Sequence, residues 1–245
     1  MAGVPTEFAS HWQEIGKRQG WVCAYIQEHP LLDSPFEPTA RDAPIRAAYV
    51  LDISQPASSL LARMSQSRRR RLKENVIPGS GISPDMSAVL SFLERQATSF
   101  FEARSAEQLT IPASEGWAEI VSSPDVVSIE ARLDGQIVAV SLFGGSGEIA
   151  DYLYNISTQA GQRFSAHLIW RAIPVLRELG FCKLNLGGGI RANDSIAEFK
   201  RRFGPDEVTI VTHRSIFDSA TYNALAKKSH AVRGDSYFPV YHRRG

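Results

Sequence analysis

The sequence predicts an α/β (α+β) chain built on a mixed central sheet, and three observations carry that expectation. Residues 127–155 alternate apolar and polar side chains between tight turns, the pattern of an antiparallel meander. Residues 165–179 switch to helical spacing. A short apolar run, Phe181 to Leu186, follows that helix, and a crossover helix returns a strand parallel to the one before it.

In chain order, a short helix is expected around Phe8 to Lys17, a strand at Trp21 to Ile26 and a proline-broken loop from His29 to Pro44. Ala47 to Ile53 reads as a strand. Ser54-Gln55-Pro56 opens a helix with a capping residue and an early proline; Leu60, Leu61, Met64 and Leu72 give it an apolar side. Pro78-Gly79-Ser80-Gly81 breaks the chain. A second helix starts at Ser83-Pro84, with Val89, Leu90, Leu93, Ala97, Phe100 and Phe101 at helical spacing, and a shorter one starts at Ser114. In the meander, Asp134-Gly135 supplies the first tight turn and Gly144 to Gly147 the second. The helix Ser165 to Leu179 carries Pro174, which removes a backbone donor and bends it, and Gly180 closes it in the left-handed conformation. A strand at Val208 to Thr212, a helix near Ser219 to Lys228 and an Arg- and Tyr-rich tail from Arg233 complete the chain.

Composition narrows the function classes. The chain has 245 residues, 43% hydrophobic and 22% charged, enough to bury a proper core. A net charge of +1 excludes a global field toward nucleic acid or membrane, so any polyanion site is local. Cys23 and Cys182 form no metal or redox pattern, and no run approaches the ~20 apolar residues of a bilayer span, so no membrane partner and a cytoplasmic location are expected. His11, His29, His167, His213, His230 and His242 show no metal spacing, and no metal site is expected. GxSxG, HExxH and Walker patterns are missing from the sequence, so a Ser or Cys covalent mechanism has no support in it.

An ordered series of short motifs resembles the Fem-type (FemAB-like) peptidyltransferases, a branch of the GNAT acyltransferase superfamily. Arg69-Arg70-Arg71-Leu72-Lys73 matches the family's Arg-x-x-Ile-Arg/Lys helix, and Leu133 to Ala139 its hairpin. Asp151-Tyr152-Leu153-Tyr154-Asn155 matches the aromatic strand, Leu179-Gly180-Phe181 the helix end, and Leu186-Gly187-Gly188 the glycine-rich strand end. Phe199-Lys200-Arg201-Arg202-Phe203-Gly204 resembles the Phe-Lys-x-x-Phe-Gly signature. The resemblance covers about residues 47 to 215. It implies a GNAT fold, in which two parallel strands splay apart and open a slot for an activated acyl donor. It implies aminoacyl-tRNA as that donor, an amine as acceptor, and no cofactor. Many family members have two GNAT domains. This chain is expected to hold an N-terminal extension (1–46, remnant of a second unit), one GNAT-like domain (47–232) and a C-terminal tail (233–245), which points to a small acceptor, a secondary metabolite or a cell-wall precursor.

The candidate site residues follow from both sources. Asp194 caps a helix that Gly204 ends; Ile196, Phe199 and Phe203 share one face, Lys200 flanks it and Arg201 points away. The resemblance makes Lys200 the cation that stabilises the oxyanion formed when the amine attacks the ester, a contribution of roughly 3 kcal/mol. The plainer alternative is a lysine snorkelling at a helix C-terminus. Gly187 and Gly188, at the carboxyl end of the strand, and Phe199 are candidates for substrate binding, against the alternative of a flexible turn. Tyr152, Tyr154 and Asn155 end the facing strand; alternation puts the tyrosines on one side and Asn155 on the other, with core packing expected for at least one ring. Arg68, Arg69, Arg70, Arg71 and Lys73, extended by Arg201 and Arg202, are the candidate clamp for tRNA phosphates; a solvated helix end is the alternative.

Two other functions compete. An acyl-CoA-dependent N-acyltransferase would place pyrophosphate on the backbone before the crossover helix. There Arg163 stands where such a motif has its first glycine, although Gly161 could serve in a shifted register. A non-catalytic RNA-binding or scaffold protein would keep the fold without the chemistry.

Overall fold

The structure is a computed structural model that describes residues 7–34, 36, 46–74, 81–83, 85–103, 112–189, 194–229 and 238–242. The break at Pro78 to Ser80, residues 37–44 of the proline-broken loop, Pro84, His230 and the start of the tail at Arg233 lie outside the described residues. The chain divides into two compact units, Met1–Ala48 with Val208–Gly245, and Tyr49–Glu207.

The smaller unit opens with helix α1 (Glu7–Arg18) and strand β1 (Cys23–Gln27). The larger unit begins within β2 (Arg46–Asp52). Two helices follow where the sequence predicts one, α2 (Ala57–Arg63) and α3 (Gln66–Glu74). Met64 leaves the helix with an extended ψ of 149°. Ser65 then starts α3, its Oγ accepting from the Arg68 amide at 3.2 Å. Arg69 stabilises the break: its Nη1 donates to Met64 O at 2.7 Å and Leu61 O at 3.2 Å, carbonyls that a helix end leaves without partners. The N-cap of α2 is Pro56, with no side-chain cap; Ser54 turns back to Asp52 instead.

Strand β3 (Gly81–Ile82) precedes α4 (Met86–Glu102), where Asp85 caps the helix by accepting from Ala88 N at 2.9 Å. Helix α5 (Ser114–Ser122) lies against α4. Their apolar stripes, including Phe92, Leu93, Ala97 and Trp117, close over Val140, Leu142 and Ile156 as one buried core. Truncating fully buried Leu93 to Ala there costs about 2–5 kcal/mol.

The meander is β4 (Val126–Leu133), β5 (Gln136–Ser146) and β6 (Ile149–Ser157). Asp134 (φ 50°) and Gly135 (φ 77°) make the expected tight turn. Helix α6 (Ser165–Glu178) crosses over to β7 (Lys183–Gly188), with Gly180 left-handed at φ 91° between them. Helix α7 (Ser195–Arg201) and β8 (Asp206–Ile210) follow. The seven-stranded order is β3-β4-β5-β6-β7-β2-β8, antiparallel through β6 and parallel between β6 and β7. Val140 and Leu142 face α4 and α5, so alternation turns Ser141 and Phe143 to the opposite face. A hydrogen bond from Ser165 to Asn155, which pairs with Ser141, puts the start of α6 on that second face. Helices thus cover both faces of a mixed sheet.

The chain then returns to the smaller unit. The single strand expected at Val208 to Thr212 is two, because β9 (Thr212–Ile216) leaves the large sheet and pairs antiparallel with β1. Helix α1 packs there through Trp12, which touches Phe36 and Phe217 and donates to Ser215 Oγ at 2.8 Å. Helix α8 (Ser219–Lys228) ends the unit, with Tyr222 against Phe238 and Tyr241. Among the described residues, no helix is long and apolar enough to cross a membrane.

Candidate active site

The parallel ladder between β6 and β7 is short. It pairs Ile149 with Lys183, Ala150 with Leu184 and Asp151 with Asn185, and there it stops, although β6 runs on to Ser157 and β7 to Gly188. A bulge on β6 contributes to the divergence. Leu142 pairs with Tyr154 and Phe143 with Tyr152, so Leu153 has no partner across the ladder and the strand bends. Asn185 pins the fork: its Nδ2 donates to Asp151 Oδ1 at 2.8 Å, and its Oδ1 accepts from Gly187 N at 2.9 Å. That second bond curls the backbone into Gly187, whose φ of 71° suits glycine. Beyond that point Tyr152 to Ser157 of β6 and Leu186 to Gly188 of β7 are not paired with each other.

Helix α7 carries the cation to the end of β7. Asp194 caps it, accepting from Ala197 N at 2.7 Å, and Gly204 is left-handed at φ 69°. With seven residues it is shorter than the three turns expected. Lys200 is 8% exposed, and its Nζ donates to Gly188 O at 2.6 Å. A Cβ added to Gly187 would lie 3.4 Å from that nitrogen. Burial pushes the Lys200 ammonium down to about 8, with Asp194 pulling the other way. An ammonium has three donors, so two remain for other oxygens.

The alternation expected for the facing strand is broken by the bulge. Tyr154 joins the α4–α5 core, 4.9 Å from Trp117 between ring centroids. Tyr152 and Asn155 share the opposite face: Tyr152 hydrogen-bonds Ser141, and Asn155 Nδ2 donates to the same hydroxyl at 2.9 Å. Burial raises the Tyr152 phenol, while Ser141 and the charge of Arg68 lower it. Ser165 Oγ donates to Asn155 Oδ1 at 3.0 Å, so a polar chain runs from Tyr152 through Ser141 and Asn155 to the start of α6. Sequence reasoning missed Asn185, Ser141 and Ser165. Only Asn185 had a signal, an Asn two residues before a Gly.

The arginine run separates into different roles. Arg68 is buried, Arg69 holds the end of α2, and Arg70 and Arg71 are exposed. Arg70 lies 3.5 Å from Glu74. Gln66, Ser67, Arg69, Arg70 and Lys73 line an open depression of about 560 Å³. Arg201 pairs with Glu207 at 2.9 Å and lies over the Tyr49 ring; Arg202 pairs with Glu198 at 3.0 Å. The structure therefore does not assemble the seven cations expected as a phosphate clamp into one exposed patch. Arg68 is withdrawn from solvent, and Arg69, Arg201 and Arg202 are each engaged by carbonyls or carboxylates.

The loop between β6 and α6 is closed on itself. Gly161 N and Gln162 N both donate to Thr158 O at 3.1 Å, and Phe164 N to Gly161 O at 2.9 Å. A Cβ on Gly161 would sit 1.9 Å from Val138 O, so its glycine serves close backbone packing rather than a ligand. Arg163 folds over the Phe164 ring, 4.6 Å from its centroid.

No protein-family model matches the chain, and no curated protein matches its sequence. Solved structures do match in shape. The crystal structure of FemX superposes with a TM-score of 0.63 at 12% identity, covering 89% of this chain and 78% of that one. The C-terminal domain of a protein designated a lysylphosphatidylglycerol synthetase, from Agrobacterium fabrum, gives 0.62 at 16%, covering 91% and 76%. L-PGS from Bacillus licheniformis gives 0.57 at 12%, covering 85% and 72%. At these identities the likeness establishes the fold alone: the protein shares the mixed α/β fold of FemX.

Proposed function

We propose that the protein is an aminoacyltransferase that moves an aminoacyl group from the ribose ester of a charged tRNA to the amine of a small acceptor. The observation that carries this reading is the buried Lys200, delivered by α7 to the end of β7 where the two parallel strands diverge. The amine nitrogen attacks the ester carbonyl carbon and its C–N bond forms. The carbonyl oxygen takes up negative charge beside the Lys200 ammonium, in a site from which water is largely excluded. The C–O bond to the ribose then breaks, and the proton lost by the amine ends on the departing ribose oxygen. Tyr152 and the carbonyl of Gly188 border the acyl group, and Gly187 keeps the approach to Lys200 clear. The exposed Arg70, Arg71 and Lys73 beside the α3 depression supply the cationic surface for the tRNA backbone.

The choice of an ester of tRNA over an acyl-CoA is supported by the loop before α6. Its amides at Gly161, Gln162 and Phe164 are engaged internally, whereas a pyrophosphate needs them free. The test is incubation with charged total tRNA and a mixture of small amines, with mass spectrometry of new amides. Amide formation that ribonuclease abolishes is the expected result. Transfer that proceeds from acyl-CoA and resists ribonuclease overturns the donor, and the absence of any transfer from either donor overturns the enzyme.

A further inference from the structure

Of the four consecutive arginines, Arg68 alone is withdrawn from solvent, at 2% exposure. No carboxylate pairs with it among the described residues. Its guanidinium carbon lies 4.4 Å from the centroid of the Phe199 ring and 4.2 Å from that of Phe203. Its Nη2 donates to Phe199 O at 2.7 Å, and its Nε is buried without a hydrogen bond. Burial first, and then the like charges of Arg71 and Arg202, bring it down to about 10. A buried cation held this way is costly, and a well-packed apolar side chain of similar volume would be a cheaper filler between two phenylalanines.

What it touches gives the reason for keeping it. Phe199 immediately precedes Lys200, and Phe203 lies one turn after Phe199. The Phe199 carbonyl has lost its helical donor, because Phe203 N bonds to Lys200 O at 3.0 Å instead. Arg68 supplies the missing donor from a different helix, and its plane contacts both rings that bracket Lys200. An apolar filler would pack against the rings but leave that carbonyl unpartnered.

We infer that Arg68 is a positioning residue: through the Phe199 carbonyl and the two rings it fixes the last turn of α7, and with it the placement of Lys200 Nζ against the end of β7. The inference rests on the reading of Lys200 as the cation of the transfer step, but its principal test does not need activity. It also removes Arg68 from the RNA-binding surface, since a phosphate in solvent has no access to it.

The experiment is competitive acetylation of the full chain with acetic anhydride from pH 6 to 11 (about the range spanning both lysine states), read by mass spectrometry at Lys200. Lys227 and Lys228, exposed on α8, are internal standards. In the wild type Lys200 titrates near 8. In Arg68→Met the last turn loosens, Lys200 becomes hydrated, and its titration moves toward 10.5 with faster labelling. Arg68→Lys keeps a donor for the carbonyl but cannot cover both rings, and gives an intermediate value. Circular dichroism confirms that each variant is folded; where Arg68→Met is not, Arg68→Lys decides alone. A folded variant in which Lys200 titrates as in the wild type overturns the inference, as does a wild-type Lys200 that titrates like Lys227. With transfer established, Arg68→Met lowers kcat about 10- to 100-fold at unchanged KM, the signature of misplaced chemistry rather than lost binding. A loss confined to KM overturns the positioning role. Failure of transfer in the wild type, with the Lys200 shift present, overturns the proposed function and leaves the coupling of Arg68 to Lys200 standing.

Discussion

The loop that follows β6 and the end of β7 differ in what their backbone groups hold. After β6, the loop to α6 engages its own amides, packs Gly161 against the Val138 backbone and folds Arg163 over a ring. The last two residues of β7 are a left-handed glycine, Gly187, and Gly188, whose carbonyl accepts from a buried ammonium. Neither Lys200 nor Arg68 behind it has a carboxylate partner among the described residues. Elsewhere in the same unit a buried charge is handled differently: Glu130 is met by Arg132 at 2.6 Å and by Ser83 at 2.6 Å. On the proposed function, the difference puts the chemistry at the β7 side and leaves the β6 side to architecture.

The largest expected effect tests that assignment directly. Lys200→Ala lowers kcat for aminoacyl transfer by roughly 10²–10³-fold, about 3–4 kcal/mol of transition-state stabilisation, with a much smaller change in KM. Initial rates with charged tRNA measure it. An unchanged kcat would place the chemistry elsewhere and erase the contrast between the two sides.

The β6 side should respond in stability instead. Gly161→Ala drives a methyl group to 1.9 Å from a backbone oxygen, so the strand or the loop must shift. A cost of about 2 kcal/mol lowers Tm by roughly 4–8 °C for a chain of this size. Calorimetry reads the shift, while the rate per folded molecule well below Tm stays within about twofold of wild type. A large loss of rate with Tm unchanged would make this loop a ligand site and revive the acyl-CoA reading.

Next in size is the pH dependence. Burial lowers Lys200 to about 8, so the ammonium proposed to face the oxyanion is lost as pH rises through that value. The rate should fall about tenfold per pH unit beyond it, and Lys200→Arg, which stays charged, should flatten this limb at a lower plateau. A wild-type profile that keeps rising to pH 10 (roughly the range of an unperturbed lysine) would contradict it.

Much of this contrast was legible in the sequence, and the part that was not has identifiable causes. The meander, crossover helix and parallel strand were visible because period-2 and period-3.6 patterns are local, and Gly180 and Asp134-Gly135 mark their ends. Helical geometry placed Lys200 beside the buried stripe. The bulge at Leu153 was invisible, because it depends on register with β5, and it reversed the side assigned to Tyr154 relative to Asn155. The arginine run misled for a similar reason. Four identical side chains carry no signal of which one lies under Phe199 and Phe203, and the break after Arg63 that rotates α3 is stabilised by Arg69, itself read as a surface cation. The N-terminal segment could not be joined to β9 from sequence, since the Cys23–Ile216 pairing spans nearly the whole chain.

The smallest effect has the most diagnostic sign. Lys200 is buried with its ammonium on one carbonyl, and its value drops from 10.5 unfolded to about 8 folded. Below pH 8 both states carry the proton, and the folded state bears the whole cost of burying it. Between 8 and 10.5 the unfolded chain binds more protons than the folded one, so stability rises with pH and the cost fades. Lys200→Met, similar in length and apolar, should therefore stabilise the protein by about 1 kcal/mol near neutrality, some 2–4 °C in Tm. The gain should shrink as pH approaches 10.5. Thermal melts of wild type and variant at several pH values measure both. A Lys200→Met protein less stable than wild type at neutral pH would show that the ammonium holds α7 to β7. A more stable but inactive one would show that the fold carries this charge at a cost, for the sake of the substrate.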